Sequence, residues 1–436
     1  MSTPTALRHF FLGAASAALL LILCLAVFAR VGGIELAMGN LVLRSQRGAH
    51  AELGTQIELG ARAELAAPAP GQPQQAPVLP IQPGSGSRPR NLILFVGDGM
   101  GIGAVSAAAA LLEGPGGGLH MMATPHVGLM RTWAVNDLAT DSAASATAMA
   151  TGRKTNLKMV GMLPDGRAVR NIFELARERG YATGVVTTTG LVDATPAAFT
   201  SHARHRDHYD TILEQMLASG TDVLVGGDWS NKTKVRENQR YQEMVDNLED
   251  LATDRGFNLL LDPTAVAEVP APLLALFPPR SDTGDEHGPE LAVLTRRALE
   301  LLATDSEGFV LVVECEITDT QAHSNSIAGT MAGVRELDDA VAVALEFISG
   351  RDDTLVLVTA DHDTGGLAIV EGEFDRGRAE VRWATGEHTS QWVPMFAFGP
   401  GAEHFGGVFD NTWLAQWLAE LLDLGKLPQM AENAAD

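Results

Sequence analysis

Six short runs of apolar, mostly β-branched residues alternate with longer stretches of helical periodicity, and this alternation strongly constrains the fold of the 436-residue chain. Continuous hydrophobicity is typical of strands that are covered on both faces. The pattern predicts an α/β fold, a three-layer α/β/α sandwich around a largely parallel central sheet. The predicted strands are residues 91–98, 182–189, 222–227, 309–316, 354–361 and 393–399. The predicted helices are residues 167–179, 208–219, 289–303, 326–349 and 411–424.

Carboxylates follow four of these strands. Asp98, Glu314 and Asp361 lie at the ends of three of them, and Asp193 comes within four residues of the end of another. The carboxyl ends of parallel strands meet at one edge of an open sheet, where ligands bind. Four acids at one edge would repel each other strongly unless cations lie between them. The pattern therefore predicts a metal cluster.

An uncharged run of 19 residues, 10–28, lies near the N-terminus between Arg8 and Arg30. This length suits a membrane-spanning anchor, and it also suits a long secretory signal peptide. We expect export to the periplasmic or extracellular face, with residues 10–28 either removed or retained as an inner-membrane anchor. A retained anchor would contact the membrane.

Composition divides the chain into three parts. Residues 1–32 form the predicted signal peptide or anchor, and residues 33–90 form a tether. The second half of that tether, residues 67–90, is rich in Pro, Gly and Gln and reads as an extended linker. Residues 91–436 form the predicted globular domain.

The overall charge and the cysteine count exclude some functions. A net charge of −23 argues against a nucleic-acid-binding surface, which requires a basic face. The chain has two cysteines, Cys24 in the apolar run and Cys315 in a predicted strand. This pattern predicts no disulfide framework.

The glycine-rich segment "GDGMGIG" (97–103) invites a dinucleotide-binding interpretation. Ile102 occupies the third glycine position of that motif, and Asp98 would face the pyrophosphate. An acid within a glycine turn suits a metal ion better than a bare phosphate. A simple tight turn is the alternative interpretation.

Three further segments offer metal ligands. In "ECEITDTQAH", Asp319 and His323 are four residues apart, so one helical turn can direct both at one ion. "TADHDTGG" places Asp361 and His362 at a strand end, and "GEHTS" supplies His388. Taken singly, an acid-rich turn is commonly solvated and a lone histidine is commonly structural.

The segment "DATPAAFTSHARHRDHYD" contains a histidine series, His202, His205 and His208, at a spacing of three. Arginines lie among these histidines and would repel a metal ion, so we interpret the three as surface or structural residues. Arg206 can instead grip an oxyanion through its planar guanidinium.

The alanine-rich stretch "TDSAASATAMATGR" (140–153) places Asp141 and Ser142 where a helix is expected to begin. Ser142 could simply cap that helix. It could also be a nucleophile, because a helix N-terminus favours an alkoxide and an arriving phosphate.

Together the motifs "GDGMG", "DSAASATAMATG", "DATPAA", "ECEITDTQAH", "TADH" and "GEHT" resemble those of the alkaline phosphatase family, in order and in spacing, over residues 91–399. The resemblance implies two zinc ions and one magnesium ion, held by the residues that match the family's motifs. The first zinc would be held by Asp319, His323 and His388. The second would be held by Asp98, Asp361 and His362, and would contact Ser142. The magnesium site would use Asp98, Thr195 and Glu314, with Asp193 in its water shell.

The resemblance also implies the reaction, which is hydrolysis of phosphate monoesters through a phosphoserine on Ser142. Arg206 would bind the substrate phosphate, and Asp141 would orient Arg206. Carboxylate and imidazole ligands suit zinc, and an all-oxygen site suits magnesium. We expect small phosphate monoesters as substrates, over a broad range.

The chain departs from the family pattern at three places. Thr320 stands where some members have a basic residue, which bears on phosphate release and pH optimum. Only 25 residues separate His362 from His388, an interval in which many relatives carry a subunit-contacting insertion. This leaves monomer and dimer both open. Residues 228–288 form an acidic, irregular insertion whose sequence does not indicate its purpose, with a lid or cap as one interpretation.

The same metal scaffold also supports hydrolysis of sulfate esters and of phosphate diesters. A sulfatase would require a Cys-x-Pro-x-Arg or Ser-x-Pro-x-Arg motif, whereas alanines follow Ser142. Diesterase relatives more often use threonine as the nucleophile. A non-catalytic phosphate or metal binder is the alternative from another class, and the complete set of nucleophile, arginine and ligands argues against it.

Overall fold

The central sheet of the computed structural model has ten strands, and two small two-stranded sheets accompany it. The strands are β1 (Asn91–Gly97), β2 (His126–Arg131), β3 (Ala182–Gly190), β4 (Val223–Gly227), β5 (Asn258–Leu260), β6 (Leu273–Phe277), β7 (Phe309–Cys315), β8 (Thr354–Thr359), β9 (Asp363–Thr364), β10 (Ala368–Glu373), β11 (Arg378–Arg382), β12 (His388–Thr389), β13 (Val393–Phe398) and β14 (Gly407–Asp410). The order in the central sheet is β14-β2-β13-β8-β1-β7-β3-β4-β6-β5. Within this sheet only β13 runs antiparallel to its neighbours.

Helices pack against this sheet in two groups whose members contact each other. The helices are α1 (Ile102–Leu112), α2 (Ser142–Thr151), α3 (Ile172–Glu178), α4 (Ala194–Thr200), α5 (Tyr209–Ala218), α6 (Thr233–Arg236), α7 (Gln239–Asp246), α8 (Leu248–Asp254), α9 (Leu291–Leu302), α10 (Ile317–His323), α11 (Ile327–Phe347) and α12 (Thr412–Leu421). One group gathers α1, α9 and α10 around α11, and the other gathers α2, α3, α4, α5 and α12. The predicted α/β fold with a largely parallel central sheet is confirmed.

The structure describes residues 88–113, 118–228, 233–262, 265–266, 268–277, 289–373 and 378–427. The predicted signal or anchor and nearly all of the predicted tether lie outside these residues, as does Cys24. Within the described residues, no helix combines the length and the apolar character needed to cross a membrane. Cys315 is a buried free thiol.

The six predicted strands are present within two residues of their expected bounds, because each is a continuous apolar run that is buried along almost its whole length. The five predicted helices are also present, although α3 begins at Ile172 rather than at residue 167. Its start is determined by a capping box, in which the Asn171 side chain accepts from the Glu174 N–H and the Glu174 side chain accepts from the Asn171 N–H.

The prediction that residues 228–288 are irregular is wrong for the part of them that the structure describes. This part contains α6, α7 and α8, and its strands β6 and β5 extend the parallel sheet beyond β4. The five residues of β6 are fully apolar and buried. The segment therefore belongs to the central layer of the fold.

The four strands that precede the predicted acidic residues are neighbours in the order β8-β1-β7-β3. They are mutually parallel and in close register, so their carboxyl ends lie at the same level. Asp98, Asp193, Glu314 and Asp361 therefore arrive at one edge of the sheet. The fold places the candidate site there.

Candidate active site

The turn after β1 directs Asp98 into the site. Gly99 has a φ of +68°, and a Cβ on it would lie 2.8 Å from atoms of Asp319 and Thr364. The Gly99 N–H donates to Asp361 Oδ1 over 3.1 Å. Glycine is therefore needed here both for the left-handed conformation and for close approach to other ligands. This explains the glycines of the 97–103 motif without a dinucleotide.

The nucleophile candidate lies at the first position of α2. Asp141, not Ser142, caps the helix, because the Ala144 N–H donates to Asp141 Oδ1 over 3.0 Å. Ser142 is only 4% exposed, and its Oγ lies 3.3 Å from Nε2 of His362. The capping interpretation of Ser142 is therefore wrong, and its hydroxyl faces the candidate metal ligands.

Asp98, Asp361 and His362 form the inner cluster of the site. His362 Nε2 lies 3.4 Å from Asp98 Oδ1 and 3.2 Å from Asp361 Oδ2. All three side chains are buried, and those two carboxylate oxygens have no hydrogen-bond partner among the described residues.

Burial governs the electrostatics of this inner cluster. It raises the pKa of Asp361 to about 7, with Asp319 adding to the effect. Burial and the neighbouring Asp361 also raise the pKa of Asp98 well above its usual value. Burial lowers the pKa of His362, which keeps its imidazole neutral and able to bind a metal.

Asp319, His323 and His388 form the outer cluster. His323 Nε2 lies 3.2 Å from Asp319 Oδ2 and 3.2 Å from His388 Nε2. The His388 and His362 rings stack at 3.7 Å, so the two clusters are adjacent. One ligand atom each from Asp319, His362 and His388 lies within 4.8 Å of the others, as do atoms of the inner cluster.

The charges of the outer cluster compensate each other. A hydrogen bond to Asp319 raises the pKa of His323 to about 9. For Asp319, burial acts to raise the pKa, but the hydrogen bond from His323 and the nearby imidazoles outweigh it and lower the pKa. The outer cluster can therefore hold a proton in place of a metal ion.

His388 reaches the site through a two-residue strand pair. In this pair, β12 is antiparallel to β9, with His388 opposite Thr364 and Thr389 opposite Asp363. Thr389 Oγ1 donates to Asp363 Oδ2 over 2.6 Å, and His388 Nδ1 lies 2.8 Å from the Thr140 carbonyl oxygen. The pairing orients the imidazole toward the other ligands.

Glu314, Asp193 and Thr195 form the third predicted set. Burial, followed by the charge of Asp193, raises the pKa of Glu314 to about 8. Thr187 Oγ1 donates to Glu314 Oε2 over 2.6 Å, and Asp193 caps α4 by accepting from the Ala194 N–H over 2.8 Å. Thr195 lies buried in the first turn of α4. These residues stand beside the inner cluster, outside the two tight groups found among the described residues.

Arg206 is held between two aspartates. Its Nη2 donates to Asp193 Oδ1 over 2.7 Å, and its Nη1 lies 3.7 Å from Asp141 Oδ2. Burial acts to lower the pKa of Arg206, but Asp193 and Asp141 outweigh it and raise the pKa. The shorter contact is to Asp193. The resemblance to the family predicted that Asp141 orients Arg206, and it did not predict that Asp193 also does so.

The three histidines of the 202–208 series lie apart from both clusters. His202 Nδ1 is 2.7 Å from the Gly161 carbonyl oxygen, and its Nε2 is 3.3 Å from Glu174 Oε1. The rings of His205 and His208 are 6.0 Å apart. The structural interpretation of this series agrees with these contacts.

Sequence reasoning missed two supporting hydroxyls. Thr364 Oγ1 donates to Asp319 Oδ1 and lies 3.2 Å from His362 Nδ1, so it joins the two clusters. Ser145 Oγ donates to the Asp361 carbonyl oxygen over 2.6 Å. Both stand within the quoted motifs, but a hydroxyl gives no signal of its own until its partner is known.

The inner and outer clusters fit divalent cations. Their donors are carboxylate oxygens and imidazole nitrogens, the usual zinc ligands. They converge from distant segments of the chain, with His362 close enough to contribute to either cluster and His323 placed by its contacts with Asp319 and His388. Buried acids with raised pKa values and unpartnered oxygens are costly unless a cation compensates them. Hydrolysis of phosphate esters with metal assistance is the class of chemistry that this arrangement serves, since the Ser142 hydroxyl lies 3.3 Å from His362 and the charge of Arg206 also acts on His362.

The comparison with known families agrees with this class. The family model described as "Alkaline phosphatase" matches residues 89–374. The chain belongs to the alkaline phosphatase family and is a phosphomonoesterase.

Individual relatives cover most of the chain. It is 31% identical to the alkaline phosphatase of Escherichia coli K12 over an alignment of 412 positions, which covers 77% of this chain and 86% of that protein. It is 33% identical to a streptomycin-6-phosphate phosphatase of Streptomyces griseus over 76% of this chain and 90% of that protein. The solved alkaline phosphatase of the Antarctic bacterium TAB5 superposes with a TM-score of 0.68 at 27% identity, over 78% of this chain and 99% of the other.

Proposed function

We propose that the chain hydrolyses phosphate monoesters of broad variety through a phosphoserine on Ser142, with two zinc ions and one magnesium ion. The observation that carries the proposal is the position of the Ser142 hydroxyl, 3.3 Å from His362 and next to both ligand clusters. Asp141 takes the capping role, which leaves this hydroxyl available.

The metal ions would be held by the residues that converge at the sheet edge. The outer cluster, Asp319, His323 and His388, would hold one zinc, and the inner cluster, Asp98, Asp361 and His362, would hold the other with Ser142. Asp98, Thr195 and Glu314, with Asp193 in the water shell, would hold magnesium. When bound, such ions lower the pKa of a coordinated hydroxyl and stabilise the negative charge of attacking and leaving oxygens.

A relative supports the third site. A variant of the TAB5 enzyme is described with Mg bound in its M3 site, and it superposes on this chain with a TM-score of 0.67 at 27% identity. An oxygen-only ligand set such as Thr195, Glu314 and Asp98 suits that ion.

The chain's own groups then carry out two displacements. Ser142 Oγ attacks phosphorus, the alcohol leaves on the opposite side, and water later cleaves the phosphoserine to release inorganic phosphate. Arg206 binds the non-bridging oxygens, since Asp193 and Asp141 fix its guanidinium in place. The N-terminus of α2 adds favourable potential for the phosphate.

The test is release of p-nitrophenol from p-nitrophenyl phosphate by the full chain with zinc and magnesium, compared with Ser142→Ala. We expect the variant to lose at least about 1,000-fold in kcat. Ser106→Ala is the matched control, because Ser106 lies on α1, is exposed and donates only within its own helix. Equal turnover by wild type and Ser142→Ala would remove Ser142 from its role. Metal binding without turnover in either would favour a binder.

We also propose that the protein is exported, and that residues 10–28 serve as its signal peptide or its anchor. The support is the uncharged run of 19 residues between two arginines. Cell fractionation with an activity assay tests this, because activity confined to the cytosol would contradict export.

A further inference from the structure

An open cavity of about 220 Å³ lies beside the nucleophile. Its lining residues are Ala139, Thr140, Asp141, Leu157, Glu387 and His388. Asp141 directly precedes Ser142, and His388 belongs to the outer cluster, so the cavity opens from the site itself.

This cavity is where the leaving alcohol of a substrate would lie. In-line displacement puts the leaving oxygen opposite the attacking oxygen. Ser142 is buried at the base of the site, with 4% of its surface exposed, so the alcohol must extend outward. The cavity provides open volume on that outward path.

The walls of the cavity differ in chemistry. Ala139 and Leu157 offer apolar surface, and Glu387 offers an exposed carboxylate. Two backbone hydrogen bonds fix the position of Glu387: its N–H donates to Thr385 Oγ1 over 3.1 Å, and its carbonyl accepts from the Gly365 N–H over 2.9 Å. These bonds hold the backbone of Glu387 in the lining of the cavity, from which its carboxylate extends.

The other charged groups around the mouth are already engaged or lie elsewhere. Asp141 accepts from the backbone N–H groups of Ala144 and Lys158 and faces Arg206. Lys158 acts electrostatically on His205. Within the part of the chain that the structure describes, no lysine or arginine forms an ion pair with Glu387. Glu387 does act electrostatically on His323, whose imidazole would be neutral when it holds a metal ion.

We propose that Glu387 makes this cavity selective for phosphate esters of positively charged alcohols, such as amino or quaternary-ammonium alcohols, over esters of neutral or anionic ones. The inference rests on the phosphomonoesterase function proposed above and names the substrate class for it. The carboxylate attracts a cation on the alcohol, and Ala139 and Leu157 accept its methyl or methylene groups. An anionic alcohol is repelled, both by Glu387 and by the net charge of −23.

The experiment compares phosphocholine with its neutral isostere 3,3-dimethylbutyl phosphate, on the full chain loaded with zinc and magnesium. The readout is the ratio of the two kcat/KM values, in which any general effect of a substitution beside His388 cancels. We expect wild type to favour phosphocholine about two- to fivefold, the range of partly exposed ion pairs. The ratio should fall to about one in Glu387→Gln, fall below one in Glu387→Lys, and shrink in wild type at high salt.

Glu249→Gln is the matched control, because Glu249 is exposed on α8, far along the chain from the cavity, and should leave the ratio unchanged. A ratio that is the same in wild type and Glu387→Gln, with p-nitrophenyl phosphate still hydrolysed, overturns this inference alone. Failure of wild type to hydrolyse any of the three esters overturns the proposed function, and the inference with it.

Discussion

Two buried polar clusters meet the nucleophile helix α2, one near its start and one just beyond its end. Near the start lie the acids of the inner cluster, Asp98 and Asp361. Beyond the end, Lys154 Nζ lies 3.2 Å from Asp410 Oδ1 and donates to Asn411 Oδ1 over 2.6 Å. Trp133 lies against this second cluster, donating from Nε1 to Asp410 Oδ2 over 2.6 Å. We call it the lysine cluster.

The clusters differ in how their charge is compensated. Lys154 has a carboxylate, an amide oxygen and the face of Trp133, whose centre is 4.4 Å from Nζ. The inner cluster has like charges and two carboxylate oxygens without hydrogen-bond partners among the described residues. Removal of one partner from a hydrogen-bonded buried network is costly, whereas a network with unpartnered oxygens prepares a site for an external ion.

A single residue joins the two clusters. Ser145 Oγ donates to the Asp361 carbonyl oxygen and accepts from Asn411 Nδ2 over 3.0 Å. The lysine cluster therefore helps to hold α2 against the strand end that carries Asp361. The contacts of the lysine cluster therefore help to position the residues of the inner cluster.

The largest expected effect is that of Asp361→Asn. Asparagine can still accept from the Gly99 and His362 N–H groups, but it loses the charge that would bind a cation. We expect kcat/KM for p-nitrophenyl phosphate to fall by about 100-fold or more. Asp353→Asn, at the opposite end of β8 and paired with Arg351, should retain activity.

The same variant should raise stability in the presence of a chelator. The folded-state pKa of Asp361 is raised to about 7. Ionisation of Asp361 therefore lowers the free energy of unfolding, by an amount that grows as pH rises toward 7 and stays constant at higher pH. At pH 8 we expect Asp361→Asn to be more stable than wild type in urea unfolding by up to about 4 kcal/mol, the equivalent of about three pKa units. Destabilisation of the chelated variant would contradict the contrast between the clusters.

Lys154→Met should lower stability and have little effect on turnover, the opposite of Asp361→Asn. It leaves the largely buried Asp410 without its cation, so we expect the free energy of unfolding to fall by about 3 kcal/mol. Turnover per folded molecule should stay within a few-fold of wild type. A double variant with Asp410→Asn should recover part of the lost stability, and a cycle of the four proteins measures the coupling. Unchanged stability in Lys154→Met would show that the lysine cluster is not a stabilising network.

The smallest expected effects concern the pH dependence of the free energy of unfolding in the chelated protein. The contributions of His323 and Lys154 should change with pH in opposite directions. His323 has a raised pKa of about 9, so its contribution is complete below pH 6.5 and is lost as pH rises through 9. Lys154 has a pKa lowered to about 8, mainly by burial, so its folded state binds fewer protons between pH 8 and 10.5 and its contribution grows with pH there.

Measured as differences in unfolding free energy, wild type minus His323→Gln should decrease from pH 6.5 to 9. Wild type minus Lys154→Met should increase from pH 8 to 10. If both free-energy differences changed with pH in the same direction, one of two assignments would be contradicted. These are the proton held by the outer cluster and the lowered pKa of Lys154.

The central strands of the sheet could be predicted from the sequence, but the edge strands β5 and β6 could not. The strands β1, β3, β7 and β8 are long apolar runs, and the acids after them could be expected at one edge for that reason. The strands β5 and β6 have three and five residues, too few to give a distinct pattern, so their segment read as an insertion. They become strands because β4 offers a free edge for pairing.

In the site, sequence patterns identified the ligand types but not the contacts that organise them. Asp319 and His323 share a helical turn, which spacing alone predicts. His388 is brought in by its pairing with Thr364, and Arg206 is held most closely by Asp193. Neither contact has a local signal, because each joins segments that are distant or irregularly connected.

The amino-acid sequence alone determined which strands would be buried, which acids would follow them, and where the helix of Ser142 would begin, because these depend on local hydrophobicity and spacing. Only the tertiary structure decided which charges are compensated. The pairing of Lys154 with Asp410, the place of Glu387 beside the cavity and the unpartnered oxygens of the inner acids depend on distances between segments far apart in the chain. Burial and Coulomb interactions depend on those distances, which no local pattern encodes.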